Sequence, residues 1–320
     1  MTAFGYQISH EQFPPSKLLE FAKKAEAAGF DELASSDHLF PWSSDQGHSG
    51  FAWSWMAAAL EATSLSCGVV NAPVERYHPV IIAQACATLS EMYPERFWPT
   101  FGSGEFLNEH ITGNHWPEKA ARNEQLAEAV SIIKRCWKGE RFTHRSKYFT
   151  AEEVQVYSLP EKLPPAIGAA ITPETAESIG AWADGMYTVW RPHNELKEVI
   201  AAFRRGGGEG KPIFLKCDLA CAPTHEQAVE EAHKQWRTNV GTSAVHGELR
   251  TPEQFEAASQ FIGPEEVAQS LRISQDPEQH AEWIRQDMEL GVEKIVFHNV
   301  TTSQEYFLDF YSKEVFPRVR

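Results

Sequence analysis

The feature that most constrains this chain is the alternation, from one end to the other, of short apolar runs with segments of helical periodicity. Runs at Phe4–Ile8, Asp31–Ser36, Ser66–Asn71, Arg96–Phe101, Ala166–Ala170, Gly185–Trp190, Ile213–Cys221 and Lys294–Asn299 read as strands, each followed sooner or later by a helix-type segment. That makes about eight βα units, the count expected of a (β/α)8 TIM barrel. A chain of 320 residues, 42% of them hydrophobic, can bury one large core. Barrels of this length commonly remain one domain, so the expected organisation is a single α/β domain over residues 1–320.

Local punctuation supports the helical readings. Pro14-Pro15-Ser16 opens a segment in which Leu18, Leu19, Phe21, Ala22 and Ala25 recur at helical spacing, and Gly29 stops it before the next strand. Trp53–Ala62, Val80–Met92, Glu118–Trp137 and Pro173–Ala183 read as further helices. Two regions interrupt the pattern. Residues 139–157 look like a small antiparallel ribbon inserted after the fourth strand and its helix. Residues 237–275 carry helices without a clear strand, a long excursion after the seventh strand of the kind that covers an active site. The run Gly206-Gly207-Gly208-Glu209-Gly210 precedes a strand, which favours a turn or hinge over a phosphate-binding loop.

Charge excludes some partners. With 29 basic against 44 acidic residues and a net charge of −15, the surface suits neither nucleic acid nor an anionic membrane. The start Met-Thr-Ala-Phe-Gly-Tyr shows no signal peptide or transmembrane run, so a cytoplasmic protein is expected. Cys67, Cys86, Cys136, Cys217 and Cys221 lie in apolar surroundings without metal-type spacing and read as reduced core thiols.

In a barrel, side chains at the carboxyl ends of the strands converge on one mouth. Those positions supply Asp37, His38 and Trp42 after the second strand, Val69, Val70 and Asn71 at the third, and Gly102, Ser103, Gly104 and Glu105 after the fourth. The fifth adds Ala170, Ile171 and Thr172, the sixth Thr188 and Trp190, and the eighth His298 and Asn299. An acid, a base, an aromatic wall and two small-residue loops suit proton-coupled hydride transfer on a small molecule. Each residue also has a plainer reading. Asp37 could cap a turn, Glu105 could be a solvated loop acid, and Gly102-Ser103-Gly104 could simply make a tight turn. His298 could be a satisfied core histidine, and His78 before Pro79 reads best as a helix cap. A metal hydrolase built on His38, Asp37, Glu105 and His298 would have an incomplete ligand set, and no metal is expected. A serine hydrolase lacks its Gly-x-Ser-x-Gly elbow.

Several segments together resemble the luciferase-like oxidoreductases, in particular the branch of deazaflavin-dependent glucose-6-phosphate dehydrogenases. They are Glu11-Gln12-Phe13, Ser36-Asp37-His38 with Pro41-Trp42, Ser54-Trp55-Met56, Arg76-Tyr77-His78-Pro79 with Ala83-Gln84, and Met92-Tyr93-Pro94. Gly102 through Glu109, Trp182-Ala183-Asp184-Gly185 and Val296-Phe297-His298 spread the likeness over nearly the whole chain. The resemblance implies a barrel that binds an isoalloxazine-type ring at its mouth. It makes His38 the proton acceptor and places Asp37, Trp42, Glu105 and Glu11 in the substrate pocket, with Thr188, Trp190 and His298 lining it. Val69, Val70, Asn71, Gly102, Ser103, Gly104, Asn108, Ala170, Ile171 and Thr172 would face the cofactor.

The same resemblance carries finer expectations. Positions that hold substrate-phosphate cations in sugar-phosphate dehydrogenases align with Arg191 or Pro192, His246 and Ser270, which argues against a dianionic phosphate substrate. Gln46 through Phe51 and Asn108 through Gly113 look closer to an FMN-dependent subgroup, tilting the cofactor slightly toward FMN over coenzyme F420. A non-proline cis peptide is expected at Val69–Val70, and a homodimer is the expected assembly. The expected activity is hydride transfer between a flavin or deazaflavin and a small alcohol, sugar or carbonyl compound. A flavin-dependent monooxygenase, a non-catalytic flavin-binding barrel and the metal-assisted hydrolase are the alternatives.

Overall fold

The eight apolar runs are strands, within a residue or two of the expected ends. In the computed structural model, which describes residues 2–241 and 243–320, they are β1 (Ala3–Ile8), β2 (Glu32–Ser36), β3 (Ser66–Asn71), β4 (Phe97–Phe101), β7 (Ile167–Ala169), β8 (Gly185–Val189), β9 (Ile213–Ala220) and β11 (Lys294–Asn299). The ribbon after the fourth strand is β5 (Phe142–Arg145) against β6 (Thr150–Val154), antiparallel with an irregularity between Phe142 and His144. Contacts divide the chain into two compact units. The first comprises the residues up to Leu65 together with Ile213–Arg320, and the second is Ser66–Pro212.

The first unit carries a parallel sheet in the order β10, β9, β11, β1, β2, where β10 (Arg272–Ile273) is a strand that the apolar pattern does not show. Its first residue explains why. Arg272 is buried by a bidentate ion pair with Asp287, at 2.5 and 3.0 Å, so a charged residue occupies an interior position between Leu271 and Ile273 and breaks what would otherwise be an apolar run. One face of this sheet is aromatic. Phe4, Tyr6 and Phe297 pack against Phe30, Phe307, Tyr311 and Phe316, with Phe4 stacked on Phe316 at 5.3 Å and Phe307 tilted against Tyr311 at 4.3 Å. The Tyr6 hydroxyl is pinned by Gln304 at 2.8 Å. Because strand side chains alternate, the opposite face receives Gln7, Glu32, Lys216, Asp218, Lys294 and His298.

The second unit pairs β3, β4, β7 and β8 in parallel. All peptide bonds among the described residues are trans, so the cis bond expected at Val69–Val70 is absent. β3 instead keeps an unbroken register with β4, Val69 opposite Pro99, Val70 opposite Thr100 and Asn71 opposite Phe101. That regular ladder is the lower-energy choice where a non-proline cis bond would cost about 3–4 kcal/mol.

The predicted helices form at Pro15–Ala27, Ala52–Ala62, Pro79–Met92, Lys119–Trp137 and Pro173–Gly180, the last ending three residues early. Leu18, Phe21, Ala22 and Ala25 are the buried stripe of the first. His78 caps the third, its Nδ1 accepting from the Val80 N–H at 3.2 Å. The glycine run makes a turn of close contact. A Cβ on Gly206 would lie 1.9 Å from the Glu177 carbonyl oxygen, so only glycine lets the two helix ends meet. All five cysteines are free and buried. No helix among the described residues is long and apolar enough to cross a membrane.

Candidate active site

Strand register brings Glu11 and His38 together. Ile8 pairs with Ser35 across β1 and β2, and each chain then runs three residues beyond that pair to Glu11 and His38. Glu11 Oε1 stands 2.9 Å from His38 Nδ1, and Ser9 Oγ donates to Glu11 Oε2 at 3.1 Å. Burial raises the Glu11 carboxyl, but the charge and hydrogen bond of His38, a backbone amide and His10 outweigh it and bring it down to about 2. The turn that bears Glu11 is fixed by Gln12, whose Nε2 donates to the Val300 carbonyl at 2.8 Å.

The loop that bears His38 is braced from its own far side. Ser49 Oγ donates to the His38 carbonyl at 2.8 Å, the Trp42 N–H donates to Gln46 Oε1 at 2.9 Å, and Gln46 Nε2 reaches the Gln235 carbonyl. Gln46 and Ser49, read from resemblance as marks of a cofactor subgroup, therefore have a structural task in this chain. Trp42 meets His38 edge-on at 5.2 Å and Phe255 edge-on at 5.1 Å, which places Phe255 and its neighbour His246 in the same aromatic cluster. Asp37 is buried, and its Oδ2 accepts from Trp53 Nε1 at 3.1 Å. His10, fully buried against the edge of Trp55, is held by burial at about 4.

His298 belongs to the polar face of the same sheet. Its Nδ1 lies 2.7 Å from Asp218 Oδ1, which also receives Lys216 Nζ at 2.6 Å. Burial and Lys216 lower His298, against Asp218 and Glu11. Glu11 thus acts electrostatically on both histidines. Sequence reading found His298 but not Asp218 or Lys216. The signal was present: two charged residues at i and i+2 on one face of an apolar strand.

In the second unit the loop after β4 is built around Gly104, whose φ of +79° suits glycine alone. Ser103 is buried and accepts from Lys119 Nζ at 2.6 Å, which sets a cation at the start of the helix Lys119–Trp137. Burial of that ammonium and repulsion by Arg122 lower Lys119 to about 8, with Glu105 opposing. Lys119 has no motif around it, and sequence reading missed it. Asn108 is buried, and Glu109 beside it accepts from the Arg76 N–H at 2.7 Å. Val69 and Asn71 are buried at the end of β3 and Ala170 is buried beyond β7, whereas Ile171 is exposed. The Thr172 hydroxyl caps the helix Pro173–Gly180, accepting from Thr175 N–H at 3.3 Å. Thr188 is fully buried on β8 with its hydroxyl unpartnered among the described residues, and Trp190 follows it, half-buried. No three histidine, cysteine or acidic side chains gather as a metal site among the described residues.

This geometry can be set beside known proteins. The chain is 34% identical to a protein of Microbacterium testaceum named F420-dependent glucose-6-phosphate dehydrogenase, over 99% of this chain and 97% of that one. It is 33% identical to the protein of the same name from Beutenbergia cavernae, over 100% and 98%. Among solved structures, an F420-dependent secondary alcohol dehydrogenase in complex with an F420-acetone adduct superposes with a TM-score of 0.91 at 27% identity, covering 100% of this chain and 99% of the other. The fold is accordingly the (β/α)8 barrel read from the strand pattern. The family described as luciferase-like monooxygenase matches residues 1–294. The chain belongs to this luciferase-like family and is an oxidoreductase of its class.

Proposed function

We propose that this protein is an F420-dependent dehydrogenase that moves a hydride between the deazaflavin and a small polar alcohol, sugar or carbonyl compound. The observation that carries the reading is the buried Glu11–His38 contact at 2.9 Å, at the carboxyl ends of adjacent strands in a chain alike over its full length to F420-dependent dehydrogenases. Oxidised F420, when bound, supplies the acceptor for the hydride leaving the alcohol carbon. The alcohol proton passes to His38 Nε2, while Nδ1 faces Glu11, whose carboxylate stabilises the imidazolium that forms. Trp42 walls the pocket on the His38 side, and Asp37, held by Trp53, orients a substrate hydroxyl. Within the second unit, Glu105, Thr188 and Trp190 keep their assignment as substrate-facing residues.

The residues of the second unit fit a ring with an anionic tail. A Cβ on Gly102 would meet only Ala169, at 3.7 Å, so the backbone there is open to a flat ring, and the buried Thr188 hydroxyl has no partner among the described residues. Val69, Val70, Asn71, Asn108, Ala170, Ile171 and the backbone of Thr172 complete the assigned ring contacts. Lys119 at Ser103 would meet the phosphate that F420 and FMN both carry. Between those two carriers the relatives' names favour F420, against the slight tilt toward FMN taken from sequence. The remaining assignments are one domain, a cytoplasmic location and a homodimer. The dimer is supported by exposed Ile81 and Met92 on the helix Pro79–Met92.

The test is anaerobic. Protein made in a host without F420 is titrated with F420 and with FMN, then mixed with oxidised F420 and a panel of alcohols and sugars while F420 absorbance is followed. F420 binding and substrate-dependent bleaching are expected. Binding of FMN alone, or of neither carrier, would overturn the reading.

A further inference from the structure

The first unit buries three histidines: His10 lies against Trp55 with neither ring nitrogen partnered among the described residues, and the other two differ in how their polar partners are arranged. His280 has both ring nitrogens engaged, Nδ1 with the Tyr311 hydroxyl and Nε2 with the Ser274 carbonyl, each at 3.0 Å, as a structural histidine should. His298 is 4% exposed and has one nitrogen engaged; its Nε2 is buried without a partner among the described residues. The engaged side is over-determined. Register places Asp218 directly opposite His298, Asp218 Oδ1 receives both Nδ1 and Lys216 Nζ, and Trp236 packs edge-on to the imidazole at 4.9 Å with the Lys216 ammonium 5.3 Å from its ring.

The proton on this imidazole follows from its partners. Burial raises the Asp218 carboxyl, but Lys216 and His298 hold it well below the usual carboxylate range, so it only accepts. His298 is pushed down by burial and Lys216, hence neutral, and its single proton must lie on Nδ1. Nε2 then presents a lone pair. We propose that Asp218 is a positioning residue that locks His298 as the Nδ1–H tautomer, so that Nε2 accepts a hydrogen bond from a substrate hydroxyl other than the one oxidised. This rests on the dehydrogenase reading above and narrows its substrate to a molecule with at least two hydroxyls, one of them facing Nε2. Phosphate or carboxylate at this position offers only acceptors and is excluded.

Asp218→Asn reverses the arrangement, because the amide N–H donates to Nδ1 and drives the proton to Nε2. Nitrogen-15 spectra of the full-length protein, with the His298 signals assigned through His298→Gln, should show the Nδ1–H tautomer in the parent and Nε2–H in Asp218→Asn. Glycerol, but not 2-propanol, should perturb the parent's Nε2 signal. With F420 present, Asp218→Asn should lower kcat/KM for glycerol roughly 10- to 100-fold, mainly through KM, and change that for 2-propanol by less than about threefold. His298→Gln, which keeps an acceptor oxygen, should retain more glycerol activity than His298→Ala. A parent His298 found as Nε2–H or as imidazolium overturns the proposal, and so does a glycerol to 2-propanol ratio unchanged in both Asp218→Asn and His298→Ala. If no alcohol bleaches F420, the dehydrogenase reading falls. The tautomer and the glycerol response still decide this one, and a silent Nε2 signal refutes it.

Discussion

Replacing Glu11 by Gln tests the pairing at the centre of the proposed mechanism. The carboxyl titrates at about 2 in the folded protein against 4.5 for an unperturbed glutamate. A group whose acidity is strengthened by folding stabilises the folded state at pH values above its unfolded value, and the contribution is lost as pH falls through the folded one. At about 1.4 kcal/mol per unit, the difference corresponds to roughly 3 kcal/mol while His38 is protonated; the part owed to that charge is absent when His38 is the neutral base, and the remainder fades between about pH 4.5 and 2. Glu11→Gln should therefore be less stable than the parent at pH 7 by up to this amount, with the gap closing below pH 4.5. Urea denaturation at pH 7, 5 and 3.5 reads it directly. In catalysis the variant loses the charge that stabilises protonated His38, and kcat should fall on the order of 100-fold with F420 affinity unchanged. A stability gap that stays constant from pH 7 to 3.5, or a kcat within twofold of the parent, would show that Glu11 does not act on His38 through its charge.

Other outcomes follow from single contacts. His38→Ala should lower turnover roughly 100- to 10,000-fold while F420 titrations match the parent, and retained turnover with cofactor bound would remove His38 from the chemistry. Lys119, titrating at about 8 where an ordinary lysine titrates at 10.5, should bind a phosphate as a cation below pH 8 and lose that charge above it. F420 dissociation constants should thus rise above pH 8 in the parent and stay flat in Lys119→Met; equal pH profiles would remove the contact. Gly206→Ala forces a Cβ to within 1.9 Å of a backbone oxygen, so the helix ends must separate, at about 1–3 kcal/mol in thermal or urea unfolding. A neutral substitution would mean that the two helix ends are free to part.

How far the sequence could be read depended on the distance over which each feature is encoded. β3 and β11 begin and end where their apolar runs do, because a strand buried on both faces is a local statement. His78 was legible as a cap for the same reason, since Pro79 fixes the helix start. β10 was hidden because its burial is supplied by the Arg272–Asp287 ion pair across fifteen residues. Glu11 and His38 were both identifiable, but their contact depends on the β1–β2 register, which no local pattern states. The FMN tilt has no support in the relatives' names, and Gln46 and Ser49 hydrogen-bond within the first unit, so such segments mark loop construction as much as cofactor. The cis expectation relied on downstream residues, while the ladder of β3 with β4 is satisfied without it.

The distribution of charge on the first unit's sheet separates support from chemistry. Lys294 and Glu32 begin their strands and pair with each other through Glu32 Oε1. Two layers up the same face, Lys216 and Asp218 form a second such pair, yet this one is joined by His298 with a nitrogen left over. Buried ion pairs are weak sources of stability, so a second pair is poorly explained as scaffolding. All five strands of this sheet run parallel, and their carboxyl ends deliver Glu11, His38 and His298 in one direction. The Lys294–Glu32 pair lies where the strands begin, whereas the triad of Lys216, Asp218 and His298 stands toward their carboxyl ends, the side on which parallel strands meet a ligand.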